Sequence, residues 1–229
     1  MTELKNILPE GLVKMRDNFN NQLKELSQMM IEMGELCESA ISNAIKNFDK
    51  KDAKAHKKTV ETEAKIDLKE SEIQNFCTNL MITQQPVAGD MRMIFSALKM
   101  IVDLERIGDH AFDISGLSEV VRLEDIDNTE AKKDINDMLE LVKTMLKDGI
   151  DAYINADLVK AGEIIKKDED VDKIFAKVKS GIVDLISVDK IKGEKCLDLI
   201  LIAKSLERVG NHTVNLAEWV IYSITGDIF

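Results

Sequence analysis

Proline is almost missing from this chain: Pro9 and Pro86 are the only two in 229 residues. A residue that breaks helices by removing a backbone donor is thus kept out of nearly the whole length. Aromatic residues are scarce as well, at 4%, which leaves little material for the aromatic-rich strands of a sandwich or barrel. No run of about 18 apolar residues occurs, so no membrane span is expected. The opening stretch MTELKNILPEGLVKMR is interrupted by Glu3, Lys5, Pro9 and Glu10, unlike the apolar core of a secretory signal. Cysteines number three, Cys37, Cys77 and Cys196. Their wide spacing within apolar helical pattern reads as reduced core thiols of a cytoplasmic protein, not as disulfides or zinc ligands. Basic charge is also in deficit, with 31 Lys and Arg against 42 Asp and Glu and a net charge of −11. A nucleic-acid partner would call for a basic patch; this balance suits cations or basic protein surfaces.

What remains is a helical composition, 45% hydrophobic and 32% charged with 11 methionines, and it is written twice. Asn43 to Asp67 aligns without a gap on Asp148 to Asp172, and a later motif, DLERIGDHAFDI from Asp103, returns as SLERVGNHTVNL from Ser205. Self-similarity at this length marks duplication of a small domain. Apolar residues recur near every 3.6 positions, as in Leu23, Leu26, Met30, Met33, Cys37, Ala40, Ile41 and Ala44, the pattern of a helix with one buried face. Asp52 and Asp157 stand at matching breaks as N-cap candidates. The pattern predicts helices over 17–48, 52–81, 88–120, 128–154, 157–186 and 193–224. The expected fold is all-α: a tandem repeat of two three-helix antiparallel bundles with spectrin-repeat-like helices, divided into 17–122 and 123–229.

On the third helix, Ala97, Met100, Leu104, Ile107, Ala111 and Ile114 form the core seam. Glu105, Asp109 and Asp113 form a second stripe at i, i+4, i+8. Like charges at that spacing repel, so the stripe needs compensation, from Arg106 or from a metal. The second helix offers its own acidic pair, Glu63 and Asp67, and the repeat keeps it as Asp168 and Asp172. Antiparallel helices would let Glu63 and Asp67 face Glu105, Asp109 and Asp113. An all-oxygen set of this kind suits magnesium, manganese, calcium or iron, in a mononuclear or multinuclear site. The second copy has Glu207 with Asn211 and Asn215, and Glu218 returns to nearly the same face, so a weaker site with Asp168 and Asp172 is expected there.

His110 and His212 fall about 100° round their helices from the acid stripe, which assigns them a surface or hydrogen-bonding role. Gly108 and Gly210 sit in mid-helix, where glycine costs roughly 1 kcal/mol against alanine; close approach of a neighbouring helix backbone would account for them. No nucleophile with a base and no glycine-rich phosphate loop argues for catalysis. Two alternatives stand beside a binding role: a carboxylate-bridged di-iron bundle enzyme and a metal-free helical scaffold. The first normally pairs Glu with His at i+3, whereas His110 follows Glu105 at i+5.

The stretch TQQPVAGDMRMIFSALKMIVDLERIGDHAFDI, together with SLERVGNHTVNLAEWV, resembles the PhoU family, bacterial regulators of phosphate uptake. The resemblance runs from Phe19 to the C-terminus. It implies a non-enzymatic adaptor in the cytoplasm, peripheral to the inner face of the membrane through its partners. Those partners would be a phosphate ABC transporter ATPase and a sensor histidine kinase, with the phosphate-starvation response damped as the outcome, and a homodimer is expected. Carried over by motif, a first metal site comprises Glu63, Asp67, Glu105, Asp109 and Asp113. A second comprises Asp168, Asp172, Glu207, Asn211 and Asn215, with Asn211 where the family commonly has Asp.

Overall fold

Among the described residues, six long helices account for the periodicity. They are α1 (Glu10–Asp49), α2 (Ala53–Gln84), α3 (Ala88–Leu117), α4 (Thr129–Asn155), α5 (Leu158–Val188) and α6 (Gly193–Thr225), with a short 3-10 turn at Leu123–Asp125. The computed structural model describes residues 10–50, 52–84, 86–126, 129–188 and 193–227. Parts of the expected connections QQPVAGD, RLEDIDN and SVDKIKGE lie outside the described residues. Helix α1 packs with α2 and α3, and α4 with α5 and α6, which makes the two three-helix bundles. The all-α tandem architecture expected from the repeat is the one observed.

Matching chemistry ends matching helices. Asp52 Oδ1 accepts the Lys54 and Ala55 backbone N–H groups at 3.0 and 3.2 Å. Asp157 Oδ1 does the same for Val159 and Lys160, both at 3.0 Å. Each cap satisfies donors that the first helical turn would otherwise leave open. Helix α1 begins at Glu10, earlier than the expected residue 17. Near the expected start, the Arg16 guanidinium donates to both Asp90 oxygens at 2.7 and 3.0 Å. Asp90 Oδ2 also accepts the Val87 N–H at 3.3 Å, so one buried carboxylate starts α3 and clamps α1 to it.

The apolar stripes meet as the spacing requires. Leu26, Met33, Ile41 and Phe48 of α1 are buried against Ile66, Ile73 and Leu80 of α2 and Met100, Leu104 and Ile107 of α3. Burying a side chain of this size contributes roughly 1.5–3 kcal/mol relative to leaving it in water. Cys37, Cys77 and Cys196 lie in this interior. The Cys37 thiol donates to the Leu104 carbonyl at 3.2 Å, and burial pushes Cys77 up to about 12, which leaves the thiolate inaccessible.

The two bundles join through α3 on α6 and α1 on α4, and the buried apolar residues form one cluster through both. Helices α3 and α6 run antiparallel. Phe95 stands edge-on to Trp219 and Tyr222 with centroids 6.0 and 6.2 Å apart, whereas His110 lies 5.7 Å from His212. A pseudo-twofold axis relates the halves and passes between those two imidazoles.

Candidate functional site

The first acidic face assembles from α2 and α3. Glu63, Asp67 and Asp109 each offer a carboxylate oxygen, and the three lie within 4.8 Å of one another. Glu63 and Asp109 are half-buried and Asp67 is exposed. Burial, then the charges of Asp67 and Asp109, pushes Glu63 above the ordinary carboxylate range. Glu105 is raised likewise, by burial first and Asp109 next. The internal counter-ion is Arg106, whose Nη1 donates to Asp109 at 2.9 Å and whose Nε lies 3.3 Å from Glu105. One exposed guanidinium between two acids leaves Glu63 and Asp67 without that partner. Asp113, the third member of the stripe, is turned toward the bundle junction, with its Oδ2 3.9 Å from His110 Nδ1.

A residue outside the expected set joins this face. Glu70 is raised by burial and by Asp67, and it acts in turn on Glu105. Its spacing from Asp67 is one helical turn, so continuing the Glu63, Asp67 stripe would have found it.

The second face is built alike and charged differently. Asp168 is raised by burial, then by Asp172 and Glu207, which brings those three expected residues together. Asn211, with its amide nitrogen turned to donate, reaches Asp168 Oδ1 and the Glu207 carbonyl, both at 3.2 Å. It therefore supplies a donor where Asp109 supplies charge. Glu207 is buried. Lys204 Nζ lies against its Oε2 as an ion pair, yet that oxygen has no aligned hydrogen-bond donor. Glu218 is raised by burial, then by Asp103 and Asp168, so it borders the same face as its spacing suggested. Asn215 points elsewhere, into the junction between bundles.

That junction is where the duplicated motif meets itself. Asp103, buried on α3, accepts from the Asn215 amide at 2.9 Å and lies 2.9 Å from His212 Nδ1. Nothing in the sequence pairs residues so far apart, and Asp103 was legible only as one more acid of the motif. His110 is buried, and burial, then the His212 ring and Arg208, lowers it to about 4. The expected hydrogen-bonding role holds for His212. His110 is an interior residue beside α6, turned away from the Glu105 face, which is no Glu-x-x-His arrangement. The motif glycines make room for side chains, not for backbone as expected: a Cβ on Gly108 would meet Ile66, and one on Gly210 would meet Val171.

As a donor set, the first face fits a hard cation. It consists of carboxylate oxygens, clustered closely enough to raise one another's proton affinity, and a bound cation relieves that repulsion. The second face offers fewer anions, and its buried Glu207 is already paired with Lys204.

Comparison with known proteins agrees with the duplicated architecture. The PhoU domain profile matches residues 30–117 and again 135–220, one stretch in each bundle. The phosphate-specific transport system accessory protein PhoU homolog of Clostridium acetobutylicum is 36% identical over 212 residues, which cover 92% of this chain and 96% of that protein. The homolog of Borreliella burgdorferi is 30% identical over 218 residues, covering 93% and 97%. The crystal structure of PhoU from Pseudomonas aeruginosa superposes with a TM-score of 0.85 at 28% identity, covering 91% of this chain and 100% of that one. The phosphate transport system regulatory protein PhoU from Streptococcus pneumoniae gives 0.83 at 25% identity, covering 92% and 99%. With both bundles matched and nearly full-length relatives at 30% identity or more, the chain belongs to the PhoU family.

Proposed function

We propose that this protein regulates phosphate uptake as a metal-binding adaptor of a phosphate-specific transport system. In this reading it works as a homodimer at the inner face of the membrane. It holds a phosphate ABC transporter ATPase and a sensor histidine kinase in their phosphate-replete state, so that the starvation response is damped. The protein itself performs no catalysis. The names of its relatives, accessory and regulatory proteins of phosphate transport, support this reading. No helix among the described residues is long and apolar enough to cross a membrane, so the reading places membrane contact in the partners.

One observation carries the metal part: Glu63, Asp67 and Asp109 converge within 4.8 Å on the outside of a bundle. These three, with Glu105 alongside, would hold a hard cation, and Asp168, Asp172 and Glu207 a weaker one with Asn211 nearby, while Asp113 and Asn215 face the junction instead. A bound cation supplies positive charge that a partner's acidic group or the clustered carboxylates themselves can share. The remaining work belongs to the chain: rigid helices fix the spacing of the acids, and Arg106 neutralises the edge of the face.

The test combines a cell and a column. Deleting the gene should switch on a starvation reporter in phosphate-rich medium, and the purified protein should retain the ATPase and kinase domains in pull-downs. A silent reporter with neither partner retained refutes the adaptor reading. Elemental analysis of protein prepared without chelator should find at least one equivalent of a hard metal, and a metal-free result refutes that part alone.

A further inference from the structure

The pseudo-twofold axis makes each side of the α3–α6 junction a template for the other. On one side, His212 and Asn215 hold the Asp103 carboxylate, both at 2.9 Å. The motif offset puts Ser205 where Asp103 stands and His110 where His212 stands, with Asp113 in place of Asn215. The second side therefore lacks the carboxylate that fills the first. In its place is an open cavity of about 380 Å³, bounded by His110, Asp113, Lys204, Ser205 and Arg208 with Leu117 and Leu201.

Two features of that cavity point to an anion. His110 Nδ1 is buried without a hydrogen-bond partner, and Asp113 at 3.9 Å is too distant to be one. A buried polar nitrogen left so is uncommon and costly. Arg208 acts on both His110 and Asp113 across the space but closes no ion pair with Asp113 among the described residues. Lys204, occupying the position of Val102 on the other side, also lines the wall, with its ammonium paired to Glu207 and lying over the Phe175 ring.

Asp113 narrows the choice of anion. A carboxylate at the wall only accepts hydrogen bonds, so it repels an oxyanion that carries no proton and welcomes one that has an O–H to give. We propose that this cavity binds inorganic hydrogen phosphate, which takes the position that the Asp103 carboxylate fills on the other side of the axis. Its oxygens accept from His110 Nδ1, the Ser205 hydroxyl and the Arg208 guanidinium, and its O–H donates to Asp113. The inference deepens the regulatory reading above and rests on it only for its physiological meaning: a phosphate regulator with this cavity senses the ion directly.

The test uses the full chain, stripped of metal with chelator so that no cation on the acidic faces captures phosphate. Calorimetric titration with inorganic phosphate at pH about 8 should show one saturable site. Sulfate, which has no proton to donate, should bind roughly tenfold or more weaker, as expected when one hydrogen bond to a charged group is lost and replaced by repulsion. Phosphoserine, whose ester is a dianion without O–H well above its pKa near 6, should resemble sulfate. Ser205→Asp recreates the filled side of the axis and should abolish phosphate binding. Arg208→Gln, at an exposed position, should weaken it at least tenfold and guards against a folding defect in the first variant. Asp113→Asn should erase the preference for phosphate over sulfate. Absence of a saturable site, equal binding of sulfate or phosphoserine, or binding that survives Ser205→Asp and Arg208→Gln overturns the proposal. Partner capture is measured without phosphate, so the adaptor reading and the phosphate site fail separately.

Discussion

Alanine at Gly210 should stabilise the protein and alanine at Gly108 should not, although the two glycines occupy the same place in a repeated motif. In the interior of a helix the change gains about 1 kcal/mol from propensity alone. What the new methyl meets decides the sign. At Gly210 a Cβ would lie 3.4 and 3.5 Å from Val171 Cγ1 and Cγ2, an ordinary contact, so the gain survives and the melting temperature should rise by about 2–4 °C for a chain of this size. At Gly108 the Cβ would lie 2.9 Å from Ile66 Cδ1 and 3.3 Å from its Cγ2, and Ile66 is fully buried. Overpacking a tight core costs about 1–3 kcal/mol, which leaves Gly108→Ala neutral to about 2 kcal/mol destabilised. Thermal melts followed by far-ultraviolet circular dichroism read both variants. Ile66→Val removes the closest atom, so the double variant should recover part of the loss, and a double-mutant cycle isolates the coupling. Equal shifts for both glycines, or no coupling to Ile66, would refute the claim that side-chain crowding fixes this motif position.

Further outcomes follow from the acidic faces and the junction. Asp67→Ala with Asp109→Ala should remove most bound metal, whereas Glu207→Ala should remove little; elemental analysis showing equal losses would contradict the asymmetry set by Asn211 in place of Asp109. In chelated protein, the raised folded pKa values of Glu63 and Glu105 mean that the native state holds protons the unfolded chain releases. Stability relative to Glu63→Gln/Glu105→Gln should then fall as pH rises from about the unfolded value of 4.5 through the folded values, and stay level above them; a rise over that window would reverse the sign assigned here. Asp103→Ala should cost about 1–3 kcal/mol by stranding the His212 and Asn215 donors, visible as an earlier urea midpoint. Asp157→Ala should cost about 0.5–2 kcal/mol as a lost cap, and a neutral result would deny the cap its role.

The helices were legible because their signals are local: the apolar stripe of α1 and the caps at Asp52 and Asp157 involve residues within a few turns. The clamp of Arg16 on Asp90 was not, since it reaches across the bundle between residues far apart in the chain. The pairing of Glu63 and Asp67 with Asp109 could be read from i, i+4 spacing on helices that had to be adjacent. Asp113 and Asn215 show where that reasoning stops. A stripe advancing by four residues drifts round a 3.6-residue helix, and by its end these side chains face the other bundle. Asp103, His110 and Arg208 gain their meaning only from the bundle each one faces, whose placement no periodicity encodes.

The continuous core across α3 and α6 has a consequence for how such a chain can change over time. A half-length version would leave the junction face of its third helix bare, and could cover it only by pairing with a second copy of itself. In that arrangement every substitution appears on both sides of the axis at once, so a carboxylate at the position of Asp103 would fill both cavities, and a serine would empty both. Joining the halves in one polypeptide releases that constraint. One side keeps the acid as an internal clasp while the other carries Ser205 beside an open space, an inequality that identical subunits could not have held.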